Sequence, residues 1–266
     1  MHPVLFQVGA LKIHTYGVLV AAGVLLGLWL ARRRAPQAGL DPERVWNLGI
    51  YMVLAALLGG KLWLLAAYRD YYRDHPREVL SLATLQSGGV FYGGLAAAIL
   101  VLALYIRRTR WKFLAVADVY AGPLVLGHAI GRLGCFAAGC CWGRPSGAAW
   151  AVSFTDPYAA ALVGVPLDLP LHPTQLYEAA ANFLIFLVLF RLGRQPRAAG
   201  QIFGAYATLY GAARGTIEFF RGDPERTLLL GGQVSLMQLV SLALIVLGAW
   251  LWLRGERQAA VAPATR

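Results

Sequence analysis

The sequence is poor in charge, and acidic residues are especially few. Charged residues make up 14% of the 266 residues, against about 25% in soluble domains, and 58% are hydrophobic. This composition excludes an ordinary soluble domain and is typical of an integral membrane protein. Because 13 acidic residues face 24 lysines and arginines, the net charge is +11, and the positions of the cations must decide whether nucleic acid is a partner.

Cysteine is also scarce. Cys135, Cys140 and Cys141 lie within one seven-residue window, which excludes a disulfide framework spread over the chain. Four alternatives are open for these thiols: a disulfide from Cys135 to Cys140 or Cys141, three unbonded buried thiols, a metal site with His128, or redox catalysis. The spacing fits no C-x2-C motif, so we expect no metal and no cofactor. We also expect no cleavable signal peptide, since no cationic region precedes an apolar core in residues 1–12.

Long apolar runs predict an all-α membrane protein with about seven transmembrane helices. A mixed-charge segment, residues 69–87, begins among Tyr68, Tyr71 and Tyr72, which is typical of an arm at the membrane interface. The proline-rich residues 144–172 predict a small extramembrane cap, and we expect residues 1–266 to form a single membrane domain. The predicted spans are residues 13–31, 46–68, 88–106, 113–130, 175–190, 201–220 and 234–253.

The cations follow a topological pattern. Loops after the first, third, fifth and seventh spans carry almost only arginine and lysine, whereas the other loops mix acids with bases. The positive-inside rule then places the N-terminus, the arm and the cap outside, and the C-terminus in the cytoplasm. This topology explains the basic charge, so we expect no nucleic-acid partner.

Residues 127–145 combine many glycines with a cation and all three cysteines, which predicts an irregular polar segment following the fourth span. Insertion of a charged side chain near the bilayer centre costs roughly 2.5–3.5 kcal/mol of free energy, so the presence of Arg132 at the end of this span needs an explanation. It either snorkels from a helix end or binds an anion. His128 lies one turn earlier on the same face, and Gly131 and Gly134 allow a close approach.

A second polar stripe lies in the sixth span. Tyr210, Arg214, Glu218 and Arg221 are spaced by four, four and three residues, which predicts a single helix face. The stripe is either a buried structural ion pair or a site for a phosphate, because one glutamate cannot neutralise two arginines. With Arg132 at a similar depth, it would form a cationic pocket for a phospholipid headgroup at the outer leaflet.

Other polar residues in the spans have structural alternatives. Lys61 is an intramembrane cation, and Asp118 is typical of helix pairing or a helix start. Tyr16 suits an aromatic belt. His172, Gln175 and Glu178 begin the fifth span and fit helix-start chemistry, but Gln175 and Glu178 are expected to point into the bundle.

Together these motifs resemble the bacterial phosphatidylglycerol–prolipoprotein diacylglyceryl transferases over nearly the whole chain. The resemblance implies a seven-span inner-membrane enzyme with its N-terminus outside. Such an enzyme moves the diacylglyceryl group of phosphatidylglycerol onto the lipobox cysteine thiol of a preprolipoprotein and releases glycerol phosphate. The matching motifs are Tyr16-Gly17, Gly59-Gly60-Lys61, Gly93-Gly94, Gly131-Arg132-Leu133-Gly134, Trp142-Gly143, His172 to Glu178 and Tyr210 to Arg221.

The resemblance also implies roles for individual residues. Arg132 would bind the headgroup, Arg214 would be a second essential arginine, and Glu218, Tyr16 and Gly143 would be needed for activity. The expected catalytic set is Arg132, Arg214, Glu218, Tyr16 and Tyr92; the expected phosphatidylglycerol-binding set is Arg132, Arg214, Gly143, Tyr210, His172, Gln175, Glu178 and Lys61.

Four positions depart from the family pattern. Tyr92 stands where the family commonly has histidine, Cys135 where it has asparagine, Cys140 where it has glutamate, and Lys61 where it has arginine. The general base therefore stays open among Tyr92, His128 and the substrate itself. A membrane thiol–disulfide oxidoreductase using the three cysteines and a non-enzymatic lipid-binding protein are the alternative functions.

Overall fold

The computed structural model describes residues 2–9, 11–81, 84, 89–224, 226–229 and 232–261. Most of these residues are helical, which confirms the predicted all-α class. Three short antiparallel pairs of strands, which were not predicted, connect the helices. The helices are α1 (Thr15–Arg34), α2 (Pro42–Ala67), α3 (Arg69–Asp74), α4 (Phe91–Thr109), α5 (Phe113–Ala138), α6 (Pro157–Val163), α7 (Thr174–Leu192), α8 (Gln201–Glu218) and α9 (Leu236–Val261). The strands are β1 (Val4–Val8) with β2 (Leu11–His14), β3 (Val152–Ser153) with β4 (Pro170–Leu171), and β5 (Leu228–Leu229) with β6 (Val234–Ser235).

Within the described residues, six helices are long and apolar enough to cross a membrane: α1, α2, α4, α5, α7 and α9. They coincide with six of the seven predicted spans. The remaining one, α8, is helical over Gln201–Glu218 but is less apolar because it carries the polar stripe. The seventh crossing and the orientation of the chain stay predictions.

The chain divides into two compact units, residues 32–116 and residues 1–31 with 117–266. In the unit of residues 32–116, α2 and α4 pack through glycines, and a Cβ at Gly94 would lie only 2.8 Å from the carbonyl oxygen of Ala56. The described part of the predicted arm holds α3 and a 3-10 turn at Pro76–Leu80. Its residues 82, 83 and 85–87 lie outside the described residues, and the single-domain assignment stays a prediction.

In the other unit, α5, α7 and α8 share an apolar core. Asp118 of α5 accepts hydrogen bonds from the backbone N–H groups of Gly200 (2.6 Å) and Phe203 (2.7 Å) at the start of α8. A carboxylate there satisfies N–H groups that have no partner within the helix, so Asp118 has the structural role expected for it. The core residues are Ala121, Val125, Ile185, Leu189, Ile202 and Ala205.

The prediction of an irregular segment from residue 127 was wrong for its first part, because α5 continues to Ala138. The glycines serve close packing against α1 instead. A Cβ at Gly127 would lie 3.1 Å from the carbonyl oxygen of Gly23, and one at Gly134 would lie 3.2 Å from the Cα of Tyr16. The irregular backbone begins only at Gly139, which has a φ of +80°.

The predicted cap contains α6, β3 and β4. Its apolar centre is small, and the Asp156 carboxylate accepts a 2.8 Å hydrogen bond from the backbone N–H of Tyr158 at the start of α6. The buried residues of this centre are Trp142, Phe154, Ala159, Val165 and Leu171.

Candidate functional site

Charged side chains meet where α5, α7, α8 and the loop after α8 come together. Five of them are buried, although charged groups are rarely buried without partners. The members of this cluster are His128 and Arg132 from α5, Glu178 from α7, Arg214 and Glu218 from α8, and Arg221, Asp223 and Arg226 from the loop.

Glu178 lies at the centre of the cluster with its side chain only 3% exposed. Its Oε2 is 2.6 Å from Nε of Arg132, and its Oε1 is 3.7 Å from Nε of Arg214 and 3.9 Å from Nη1 of Arg221. The contact with Arg132 is an ion pair rather than an aligned hydrogen bond, because the Nε–H of Arg132 donates to Nε2 of His128 at 3.2 Å. One carboxylate thus faces three guanidinium groups.

Two further carboxylates complete the cluster. Glu218 accepts from Nη1 of Arg214 at 2.5 Å and from Nε of Arg226 at 2.9 Å. Asp223 holds Arg221 through two hydrogen bonds of 2.5 Å. Burial opposes the charge of Arg221, but this bidentate pair raises the pKa of its guanidinium above the ordinary value.

The charges of this cluster do not cancel. Its described members comprise four guanidinium groups and three carboxylates, which leaves an excess of one positive charge. An uncompensated cation in a buried site favours an anionic ligand. The sequence predicted such an excess from the polar stripe alone. In the structure, the cluster that carries the excess contains four arginines.

Arg132 keeps donors that bind nothing in the described parts of the chain. Its Nε donates to His128, and its two Nη groups donate to no residue in the described parts of the chain. The side chain is 15% exposed, so these donors are partly accessible. A guanidinium fork with two free amino groups matches the oxygens of a phosphate.

His128 and Tyr210 line the same cluster. Nε2 of His128 accepts the hydrogen bond from Arg132, so a neutral ring carries its proton on Nδ1. The His128 and Tyr210 rings lie 5.6 Å apart. His128 therefore orients Arg132 and has no free lone pair while that hydrogen bond persists.

The irregular loop of residues 139–145 is fixed by backbone and side-chain hydrogen bonds. Gln175 donates from Nε2 to the carbonyl oxygen of Cys140 (2.6 Å), and Thr174 donates to that of Cys141 (2.7 Å). Gly143 forms a β-bridge with Arg221, and a Cβ there would lie 2.8 Å from the carbonyl oxygen of Phe220. Glycine is therefore required where this loop meets the end of α8.

That bridge corrects one prediction about the polar stripe. Tyr210, Arg214 and Glu218 lie on α8, but Arg221 lies beyond its last residue. The backbone N–H groups of Arg144 and Gly222 bond across to Phe220 and Trp142, so the chain leaves the helix to pair with the loop. Arg221 still reaches the cluster from there.

Tyr16 and His172 lie beside this loop. Tyr16 packs against Gly134 at the start of α1 and is exposed. Nδ1 of His172 lies 3.0 Å from the hydroxyl of Tyr177, which accepts a hydrogen bond from the indole N–H of Trp150. Both residues are held in place and accessible.

Lys61 and Tyr92 belong to the unit of residues 32–116. Lys61 donates to the backbone carbonyl oxygen of Thr84. Tyr92 is exposed at the first turn of α4, with its ring edge-on to Phe91 at 5.8 Å. Their expected roles in catalysis and lipid binding stay predictions.

The three cysteines are unpaired, and their Sγ atoms lie within 4.8 Å of one another. No disulfide is present among them, yet they are close enough for the predicted disulfide to stay a prediction. Sequence reasoning missed Asp223 and Arg226 as members of the cluster. Asp223 follows Arg221 by two residues, a spacing that carries no helical signal because the chain is no longer helical there.

These features define a multi-pass helical membrane protein with a buried cationic cluster. Comparison with known proteins then gives the family. The model of the family described as prolipoprotein diacylglyceryl transferase matches residues 3–254, and the chain belongs to this family.

Curated relatives agree over almost their full length. The chain is 33% identical to a protein of Clostridium tetani (strain Massachusetts / E88), with 95% of this chain and 97% of the relative covered. It is 34% identical to one of Nitratidesulfovibrio vulgaris (strain DSM 19637 / Miyazaki F), with coverage of 99% and 97%. It is 36% identical to one of Bordetella parapertussis, with coverage of 94% for both chains. Each of these relatives is named phosphatidylglycerol–prolipoprotein diacylglyceryl transferase, and the resemblance found in the sequence is confirmed.

Proposed function

We propose that this chain transfers the diacylglyceryl group of phosphatidylglycerol to the lipobox cysteine thiol of preprolipoproteins. The reaction forms a thioether and releases glycerol phosphate at the outer leaflet of a bacterial inner membrane. Family membership and the names of the relatives support the reaction and its two substrates. The observation that supports the site is Arg132, whose Nη groups donate to none of the described residues and lie in a cluster with one excess positive charge.

The chemistry explains why such a cluster is useful. The thiolate sulfur forms a bond to the glycerol carbon of the diacylglyceryl group, and the bond from that carbon to the phosphate oxygen breaks. The phosphodiester carries one negative charge, and the departing phosphate monoester gains a second. Guanidinium groups fixed where that charge develops lower the barrier without reorganising. Arg132 and Arg214 would hold the phosphate, with Glu178 and Glu218 fixing both guanidinium groups.

The thiol proton needs an acceptor. His128 cannot take it while its Nε2 accepts from Arg132, so His128 orients the arginine in this proposal. The oxygens of the departing phosphate are basic enough to accept the proton. We therefore favour substrate-assisted deprotonation, and Tyr16 and His172 would line the entry of the thiol from the exposed side of the loop.

The test is mass spectrometry of a lipobox peptide after incubation with the purified protein and phosphatidylglycerol. We expect a mass gain of one diacylglyceryl unit and release of glycerol phosphate. Arg132→Ala should lower the rate by about 10²–10³, the usual effect of removing one preorganised donor to a developing oxyanion. The rate of Arg132→Lys should lie between those of the wild type and Arg132→Ala, because lysine keeps the positive charge but lacks the two-pronged donor geometry of the guanidinium.

Arg69→Ala is the matched control, because Arg69 is exposed and, among the described residues, pairs with the similarly exposed Asp70. It should keep the wild-type rate. An unmodified peptide with folded wild-type protein would contradict the proposed reaction. Near-wild-type turnover by Arg132→Ala would contradict the proposed site but not the reaction.

The comparisons do not favour the two alternative functions. An oxidoreductase would lose activity in Cys135→Ser, Cys140→Ser or Cys141→Ser and keep it in Arg132→Ala. A lipid-binding protein without activity would retain phosphatidylglycerol and release no glycerol phosphate. The variants therefore test the first alternative, and the wild-type assay tests the second.

A further inference from the structure

The three cysteines place their sulfurs on one small patch. All three Sγ atoms lie within 4.8 Å of one another. Three thiolates around one ion at about 2.3 Å are separated by about 4 Å, so a movement of under about 1 Å would bring them to ligating distance. Cys135 is on the last turn of α5, and Cys140 and Cys141 are in the loop that follows.

The backbone holds this arrangement firmly. Gln175 and Thr174, both buried, donate to the carbonyl oxygens of Cys140 and Cys141, and the N–H of Cys140 bonds back to the carbonyl of Cys135 at 3.2 Å. Cys141 has a φ of +60°, a left-handed conformation that is unusual for a residue with a side chain. The loop therefore maintains strain at the residue that completes the patch.

The surroundings are positively charged. Cys135 and Cys141 lie within electrostatic range of Arg132, and Cys141 also lies within range of Arg221. The excess positive charge of the arginine cluster would also offset the negative charge of a metal–thiolate complex.

We propose that Cys135, Cys140 and Cys141 form a binding site for one soft, thiophilic cation, Cu(I). Soft thiolate ligands select Cu(I), and three sulfurs complete its trigonal coordination. A structural Zn²⁺ site takes four ligands, and no histidine or carboxylate in the described parts of the chain joins this group. Each thiol that ligates the ion releases its proton to solvent. The inference does not rest on the proposed transferase reaction.

The test is an anaerobic titration of the reduced full-length protein in detergent micelles with the Cu(I) complex of bathocuproine disulfonate, which absorbs visible light. Wild-type protein should withdraw one Cu(I) per chain. Each single variant, Cys135→Ser, Cys140→Ser and Cys141→Ser, should bind at least roughly tenfold more weakly, and the triple variant should withdraw none. X-ray absorption should show three sulfur neighbours at about 2.3 Å.

His75→Gln is the matched control, because it removes an exposed imidazole outside the patch. It should keep the wild-type stoichiometry. The proposal is overturned if wild-type protein with three titratable thiols leaves all Cu(I) with the chelator. It is equally overturned if the triple serine variant, shown to be folded by its thermal transition, withdraws as much Cu(I) as the wild type.

Discussion

Glu178→Gln gives the sharpest test of the charge arrangement, because glutamine has nearly the same shape and no charge. Glu178 faces Arg132 at 2.6 Å, Arg214 at 3.7 Å and Arg221 at 3.9 Å with its side chain 3% exposed. Removing one partner of a buried ion pair costs about 3–5 kcal/mol. For a chain of about this size, that corresponds to a fall in Tm of roughly 6–20 °C.

The eight tryptophans of the chain allow Tm to be followed by intrinsic fluorescence in detergent. Glu43→Gln is the control: Glu43 pairs with Arg32, but the two side chains are 63% and 48% exposed. An exposed pair contributes about 0–1 kcal/mol, so this Tm should move by no more than a few degrees.

A second measurement separates charge from packing. Glu178→Gln raises the excess positive charge of the cluster from one to two, so added glycerol phosphate should raise the Tm of the variant more than that of the wild type. A Tm equal to the wild type would refute the central place given to Glu178. An equal response to glycerol phosphate in both proteins would refute the link between this cluster and anion binding.

Three further predictions concern the supports of the site. Asp118→Ala should destabilise the protein by about 0.5–2 kcal/mol through loss of the α8 cap, seen as a lower Tm with the rate per folded molecule preserved; a lost rate at unchanged Tm would contradict it. Gly143→Ala should abolish folding or transfer because its Cβ collides with the facing backbone, whereas Gly147→Ala, with open space around it, should behave as wild type in the peptide assay. Gln175→Ala should cost about 1–3 kcal/mol, since it leaves the Cys140 carbonyl without its side-chain donor, and should quicken thiol alkylation; unchanged alkylation would argue against a fixed loop.

Much of the fold was predictable because a transmembrane helix requires a long run of apolar residues, which is visible in the sequence. The stripe of Tyr210, Arg214 and Glu218 was equally readable, since a four-residue spacing fixes a helix face. The contact between residues from different helices could not be predicted from the sequence. Glu178 and Arg132 are 46 positions apart and meet through the packing of α5 and α7, which no local pattern indicates.

The errors have a common physical origin. The glycines of residues 127–134 were interpreted as breaks in a helix, but in a membrane bundle they allow close helix packing, as Gly127 does against Gly23. Arg221 was assigned to the helix face by spacing, yet pairing of its backbone with Gly143 ends the helix first. In both cases a tertiary contact overrode a local signal.

The single excess positive charge also bears on turnover. In the proposed reaction, a phosphodiester with one negative charge would neutralise the described cluster. The phosphate monoester, once it has passed the thiol proton on to solvent, would carry two negative charges and make the filled site net negative. Water solvates a small dianion strongly, so the product headgroup would leave more readily than the intact lipid. With three carboxylates among its four arginines, the proposed site would not hold its own product tightly.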